Sequence, residues 1–286
     1  MLLTFLRRCL NWDAALNRNA RIRPRRQQRR PVTARLSFEL LEDRTVPSTF
    51  TVLNLADGGA GSLREAVQAA NAAPGADTIN FAAGLTGTVT LSSGELSITD
   101  DLGIGGPGAS QLTVSGNHLS RVFRISGSTT DVAISGLTIA DGLASGRTAL
   151  GGGLFNDGGH LTLTAMTFTG NQAVGDDDPN AVAGGGAVAT ITGATLTATG
   201  CTFTGNLGVA NRRSEGGAIL SDVGSTLTVG DSQFAGNQSL ALVKDHERSF
   251  WFGGFGGAVA TVRRDGTESS PRVVPSTAPT ACSQKG

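Results

Sequence analysis

Tyrosine is absent from this 286-residue sequence, and tryptophan occurs twice, at Trp12 and Trp251. Sugar sites commonly use those rings as stacking platforms, so their scarcity argues against a dedicated carbohydrate cleft. Three cysteines, Cys9, Cys201 and Cys282, fall in three different regions without metal-like spacing. An odd, scattered set supplies no disulfide framework and leaves the compartment unread. Reactive motifs are missing too: there is no P-loop, no HExxH pair and no Gly-Asp nonapeptide of the calcium-binding type. One G-x-G-x-x-G match, GIGGPG at residues 103–108, runs into QLTVSG, a strand pattern where a dinucleotide site needs a helix. His118, His160 and His246 lie far apart and are expected in different coils. The early apolar run LLTFL is too short to span a membrane.

Glycine, by contrast, supplies 41 residues, about twice the usual share. Much of it belongs to an internal repeat. GGLFNDGGHLTLTAMTFTGN (152–171), GGAVATITGATLTATGCTFTGN (185–206) and GGAILSDVGSTLTVGDSQFAGN (216–237) share a Gly-Gly, a Leu-Thr strand start and a closing Asn. Leu161, Leu196 and Leu227 each stand ten residues before Asn171, Asn206 and Asn237, while the segments between copies vary. Apolar residues two apart share one face of a strand, leaving the intervening Thr toward solvent. Met166, Cys201 and Ser232 with Phe168, Phe203 and Phe234 form a second inward-facing pair of columns, after a bend at Ala165, Gly200 and Asp231. Each copy therefore supplies two or three short strands. Stacked copies place like residues about 4.8 Å apart, which predicts a parallel β-helix with columns of Leu, Phe and Asn. The Asn column is expected at a turn, because Asn tolerates left-handed angles and its amide bonds its neighbours above and below. The Gly-Gly pairs mark corners where a side chain would clash.

Weaker copies precede and follow. DVAISGLTIADG, from Asp131, aligns Val132 with Leu161 and Ile139 with Phe168; LTVSGN and RVFRIS, from Leu112 and Arg121, alternate as strands. GGAVA, from Gly256, begins a copy that does not finish. The one helix expected lies at 62–73, where Ser62 and Glu65 make a capping box, Leu63, Ala66, Val67 and Ala70 form an apolar stripe, and Pro74 with Gly75 stops it. Such a helix covers the open end of a solenoid.

Zero net charge hides a division. Residues 1–44 hold eleven Arg and four acids, a net of +7, and the remainder carries −7. The Arg run has neither interleaved aromatics nor a recognition fold, so no nucleic-acid partner is expected. Asp176, Asp177 and Asp178 form the one acidic run, in a loop between copies. They are the candidates for calcium coordination or for carboxylate catalysis. SFWFGGF (249–255) reads as a loop packing on the last coil, and Pro-rich 263–286 as a structureless or aberrant tail left by truncation.

Two stretches carry resemblances. RLSFELLEDRTVPSTFTV (35–52), with Leu41, Glu42 and Arg44 in an LE-x-R motif behind a basic stretch, resembles the N-terminal segment of many planctomycete exported proteins. GSLREAVQAANAAPGADTINF (61–81) resembles the CSLREA segment of bacterial surface β-helix proteins, with Gly61 where that family has Cys; the GGA(I/V) and F-x-G-N copies resemble polymorphic outer-membrane protein repeats. These resemblances imply a basic export leader over 1–48 and a right hand for the single-stranded parallel β-helix, which is expected to run over 49–262 in seven to nine coils. They imply a secreted or envelope location, with membrane association only through the envelope. The function expected is non-enzymatic, a structural or adhesive surface whose partner is a surface polysaccharide or protein. A polysaccharide lyase or hydrolase on the same scaffold is the alternative. No cofactor other than calcium at Asp176–178 is expected.

Overall fold

The computed structural model describes residues 46–245, 248–253, 258–262 and 268–269. Most of them are short strands in parallel sheets, and the chain is a parallel β-solenoid. The first sheet stacks Thr49–Val52, Asp77–Phe81, Leu102–Gly105, Asp131–Ser135, His160–Thr164, Thr195–Thr199 and Thr226–Gly230. The second stacks Gly87–Thr90, Leu112–Ser115, Thr138–Ala140, Thr167–Thr169, Thr202–Thr204 and Gln233–Ala235. The third stacks Leu96–Ile98, Phe123–Ser126, Leu154–Asp157, Val188–Ile191, Ile219–Ser221 and Val259–Val262. Register partners lie from 25 residues apart, Asp77 with Leu102, to 40, Ile219 with Val259. At that length per coil the described residues complete about six turns, fewer than the expected seven to nine.

The extra length per coil has a clear origin. Segments between the repeat copies, expected as variable loops, are themselves strands. Leu143–Gly146, Gln172–Gly175, Leu207–Ala210 and Gln238–Asp245 form a fourth sheet, and Thr148–Leu150, Val182–Gly184 and Arg213–Glu215 a fifth. A full coil thus holds five strands instead of two or three. Between these two sheets lies a core made of alanine alone, Ala144, Ala149, Ala173, Ala181, Ala183 and Ala210. The small side chains let the layers approach closely: a Cβ on Gly175 would come within 2.7 Å of the Ala210 Cβ. Alanine periodicity is a faint signal beside Leu and Phe, which is why this lobe reads as loop.

In the main core the alternation predicts the facing correctly. His160–Thr164 buries Leu161 and Leu163 and exposes His160, Thr162 and Thr164. Val132, Leu161, Leu196 and Leu227 are in register, as are Ile139, Phe168, Phe203 and Phe234. The rings of Phe168 and Phe203 stack with centroids 5.0 Å apart, and those of Phe203 and Phe234 at 4.8 Å. Cys201 is buried in the neighbouring column. Between first and second sheets the chain bends through one left-handed residue per coil: Gly136, Ala165, Gly200 or Asp231, with φ of 63°, 52°, 64° and 49°.

The Asn column differs in one respect from expectation. The left-handed residue is the preceding glycine, Gly170, Gly205 or Gly236, and the Asn itself turns its amide inward. Asn171 Nδ2 donates to Asn206 Oδ1 at 3.0 Å and Asn206 Nδ2 to Asn237 Oδ1 at 2.8 Å. The same nitrogens reach the Ile139 and Phe168 carbonyls, and the Asn171 and Asn206 backbone N–H groups donate to the next Asn oxygen. Burial explains the choice, since turn backbone groups inside the solenoid need partners that water cannot supply.

The Gly corners are real but shifted in the first copy. Leu154 pairs with Val188 and Val188 with Ile219, so Gly151 is equivalent to Gly185 and Gly216, and that copy begins one residue before Gly152. All three have φ near +60°, and a Cβ there would lie 2.0–2.2 Å from the carbonyl oxygen three residues on.

The helix α1 (Leu63–Ala72) buries Leu63, Ala66, Val67 and Ala70 in the main core, against the first strands. Ser62 Oγ accepts from the Glu65 N–H, while Glu65 Oε2 accepts from the Gly61 N–H, one residue before the usual capping-box donor. Arg64 ties the helix to the turn at 92–95. It ion-pairs with Asp57 at 2.7 Å and donates to the Gly94 and Glu95 carbonyls, and Asp57 Oδ2 accepts from the Ser92 and Ser93 N–H groups. Burial alone would raise the Asp57 pKa; the hydrogen bonds from Arg64, Ser92 and Ser93 outweigh it and hold the carboxyl well below the usual carboxylate range.

At the other end two expectations change. The described part of SFWFGGF, 249–253, is not a loop: Arg248–Gly253 is a strand pairing antiparallel with Gln238–Asp245. Within the expected tail, Glu268–Ser269 pairs antiparallel with Val259–Val262, the strand of the unfinished copy, which itself lies in parallel register on Ile219–Ser221. Leu41, Glu42, Arg44, His246 and Gly256 lie outside the described residues.

Candidate binding face on the first sheet

The outward columns of the first sheet hold a regular run of polar side chains. Strand register sets His160 between Asp131 and Thr195, Thr162 between Ala133 and Thr197, and Thr164 between Ser135 and Thr199. One coil earlier, Leu102 pairs with Val132, which places Asp101 beside Asp131 and Gly103 beside Ala133. The face therefore has two halves, acidic and small toward the helix end, hydroxyl-rich toward the other.

In the first half a depression of about 320 Å³ is lined by Asp101, Gly103, Asp131, Ala133, His160 and Thr162. Its floor exists because Gly103 and Ala133 add almost no side chain. Asp101 Oδ1 accepts from the Asp131 N–H at 2.8 Å, and His160 Nδ1 lies 2.9 Å from Thr195 Oγ1. Asp101 and Asp131 stand on adjacent coils whose backbones are about one strand spacing, roughly 4.8 Å, apart, and such carboxylates can accept hydroxyl or ammonium protons. Sequence reading passed over this group, although aligning Val132 with Leu161 already sets Asp131 beside His160.

The acidic run is placed elsewhere and is occupied locally. Asp176, Asp177 and Asp178 form the bend between the fourth and fifth sheets. Asp176 Oδ1 accepts from the Asp178 N–H, Asp178 Oδ1 from the Asn180 N–H, and the Asp178 carboxylate lies 3.4 Å from Arg147 Nε. Asn211 Nδ2 donates to the Asp176 and Asp178 carbonyls. These bonds fit a closed polar turn with a cation already beside it. Among the described residues no group of three or more His, Cys, Asp or Glu side chains is arranged to hold a metal ion, so the calcium expectation at Asp176–178 finds no ligand cage. His118 sits in another loop, 3.6 Å from Asp141, remote in register from His160. GIGGPG turns from a first-sheet strand toward a second-sheet strand without a helix, and a Cβ on Gly106 would strike the Gly136 carbonyl oxygen at 2.3 Å.

Among the described residues no helix is long and apolar enough to cross a membrane. No family model matches the chain, and no curated protein matches its sequence.

Proposed function

We propose that this chain is an exported cell-surface or envelope β-helix protein with a structural or adhesive role. The observation that carries this reading is where the regularity lies. Leu, Phe and Asn columns repeat inside and Thr columns repeat outside across the repeat copies, while the carboxylate pair Asp101 and Asp131 gives way to His160 and Thr195 in the coils that follow. The resemblance of 61–81 to the CSLREA segment, of the copies to polymorphic outer-membrane protein repeats, and of 35–52 to a planctomycete export leader supports the location. Fractionating cells that produce the full chain tests it: recovery in the envelope or medium is expected, and recovery only in the cytosol defeats it.

The depression favours one second reading, a polysaccharide lyase or hydrolase acting through Asp101 and Asp131 instead of the acidic run. Paired carboxylates flanking a glycosidic bond are the common machinery of that chemistry. Incubation with pectin, alginate and chondroitin decides between the two. Release of reducing or unsaturated ends that Asp131→Asn abolishes and Asp176→Ala or Asp178→Ala spares would establish the enzyme at this site.

A further inference from the structure

In the second half of the face, three consecutive strands present Thr162 and Thr164, then Thr195, Thr197 and Thr199, then Thr226 and Thr228, all outward. Register aligns Thr162, Thr197 and Thr228 in one row, Thr164 with Thr199 in a second, and Thr195 with Thr226 in a third. Outward residues are two apart along a strand, about 6.7 Å, and rows repeat about every 4.8 Å across strands. The result is a rectangular net of hydroxyl and methyl groups.

Three properties make this net unusual for a wet surface. Among the described residues six of the seven hydroxyls have no protein hydrogen-bond partner, Thr195 being the exception through His160. The three strands, HLTLT, TLTAT and TLTVG, contain no Lys, Arg, Asp or Glu. Branching at Cβ restricts χ1, so neighbouring threonines repeat one orientation at small entropic cost.

We propose that this net binds ice. Its two repeats, about 6.7 Å along the strands and about 4.8 Å across them, make a two-dimensional lattice that suits a periodic solid better than a single small ligand. Threonine hydroxyls donate to and accept from water oxygens, while the methyls between them confine water to the rows. A charged residue would reorient that water, and none is present. With no aromatic rings on the net, a polysaccharide crystal has nothing to stack upon. The inference rests on the adhesive-surface reading and names what the face adheres to.

Inhibition of ice recrystallisation by purified full-length protein tests it. The wild type at micromolar concentration is expected to hold ice grains small. Thr197→Tyr, at the centre of the net, is expected to lose this effect by about tenfold or more, as truncating or blocking a central contact does. Gln233→Tyr, exposed on the second sheet, should retain it. Should Thr197→Tyr disturb the β-sheet circular dichroism, Thr228→Lys at a more exposed point provides the same reading. Grain growth equal to that in an inert protein of the same size, or undiminished inhibition by both net variants, overturns the proposal. Cell attachment without ice activity would sink the net and leave the surface reading intact, whereas ice activity in a protein confined to the cytosol would sink the surface reading alone.

Discussion

Asn206 takes part in four side-chain hydrogen bonds inside the solenoid, linking Asn171 above, Asn237 below and the Phe168 carbonyl. Replacing it with Ala leaves buried donors on Asn171 without an acceptor, which costs roughly 1–3 kcal/mol per stranded group. Asn206→Ala is therefore expected to lower unfolding free energy by about 3 kcal/mol in urea titration, and a change below about 0.5 kcal/mol would show that the ladder is not stabilising. Cys201 offers a second measurement. Burial pushes its thiol up, against weaker opposing bonds to backbone carbonyls. Mapped by mass after iodoacetamide treatment at pH 8, Cys201 should remain unlabelled in the folded protein and react once denatured. Asp57 supplies a pH dependence. Its folded pKa lies below the unfolded value, so its contribution is complete above about pH 4 and fades as pH falls through the folded value. The melting-temperature gap between wild type and Asp57→Asn should accordingly be widest near neutrality and narrow in strong acid.

At the scale of the element, one bend position separates first from second sheet in every full coil, and its occupants differ. Gly136 and Gly200 adopt φ near +63° without strain, whereas Ala165 holds 52° with a Cβ. A left-handed non-glycine residue costs about 1–2 kcal/mol, part of which glycine returns through its looser unfolded chain. Ala165→Gly is thus expected to raise stability by about 0.5–1 kcal/mol, read as a higher thermal midpoint. A lower midpoint would mean that the exposed Ala165 methyl packs usefully. The helix shows how a local signal can be complete: Ser62 at the cap, the stripe at 63, 66, 67 and 70, and Ala73 extended before Pro74 are all readable from spacing and all present. The fourth and fifth sheets show the opposite case. Runs such as QAVG and VAG hold too little apolar surface to announce strands, and they pair because the coil above and the coil below present matching edges.

For the whole molecule, alternating strand sequence begins at Thr49, where the first strand of the solenoid starts. Removing residues 1–48 should leave the β-sheet circular dichroism and the melting transition nearly unchanged while retaining the protein inside the cell. Normal export without LEDR, or loss of cooperative unfolding, would return the +7 segment to other roles. The sequence by itself determined the parallel stack, its inward Leu and Phe columns, the glycine corners and the helix at one end, because each is a local pattern repeated at a fixed offset. Tertiary structure alone decided the rest. The number of coils depended on the alanine lobe, whose strands exist only when stacked. The left-handed angle fell to the glycine before each Asn because the amide was needed inside. Asp101, Asp131 and His160 met because residues 25–35 apart in the chain become neighbours once the coils close. That closure also turned threonines of separate repeat copies into a net, since a two-dimensional repeat is a property of register across coils and not of any one strand.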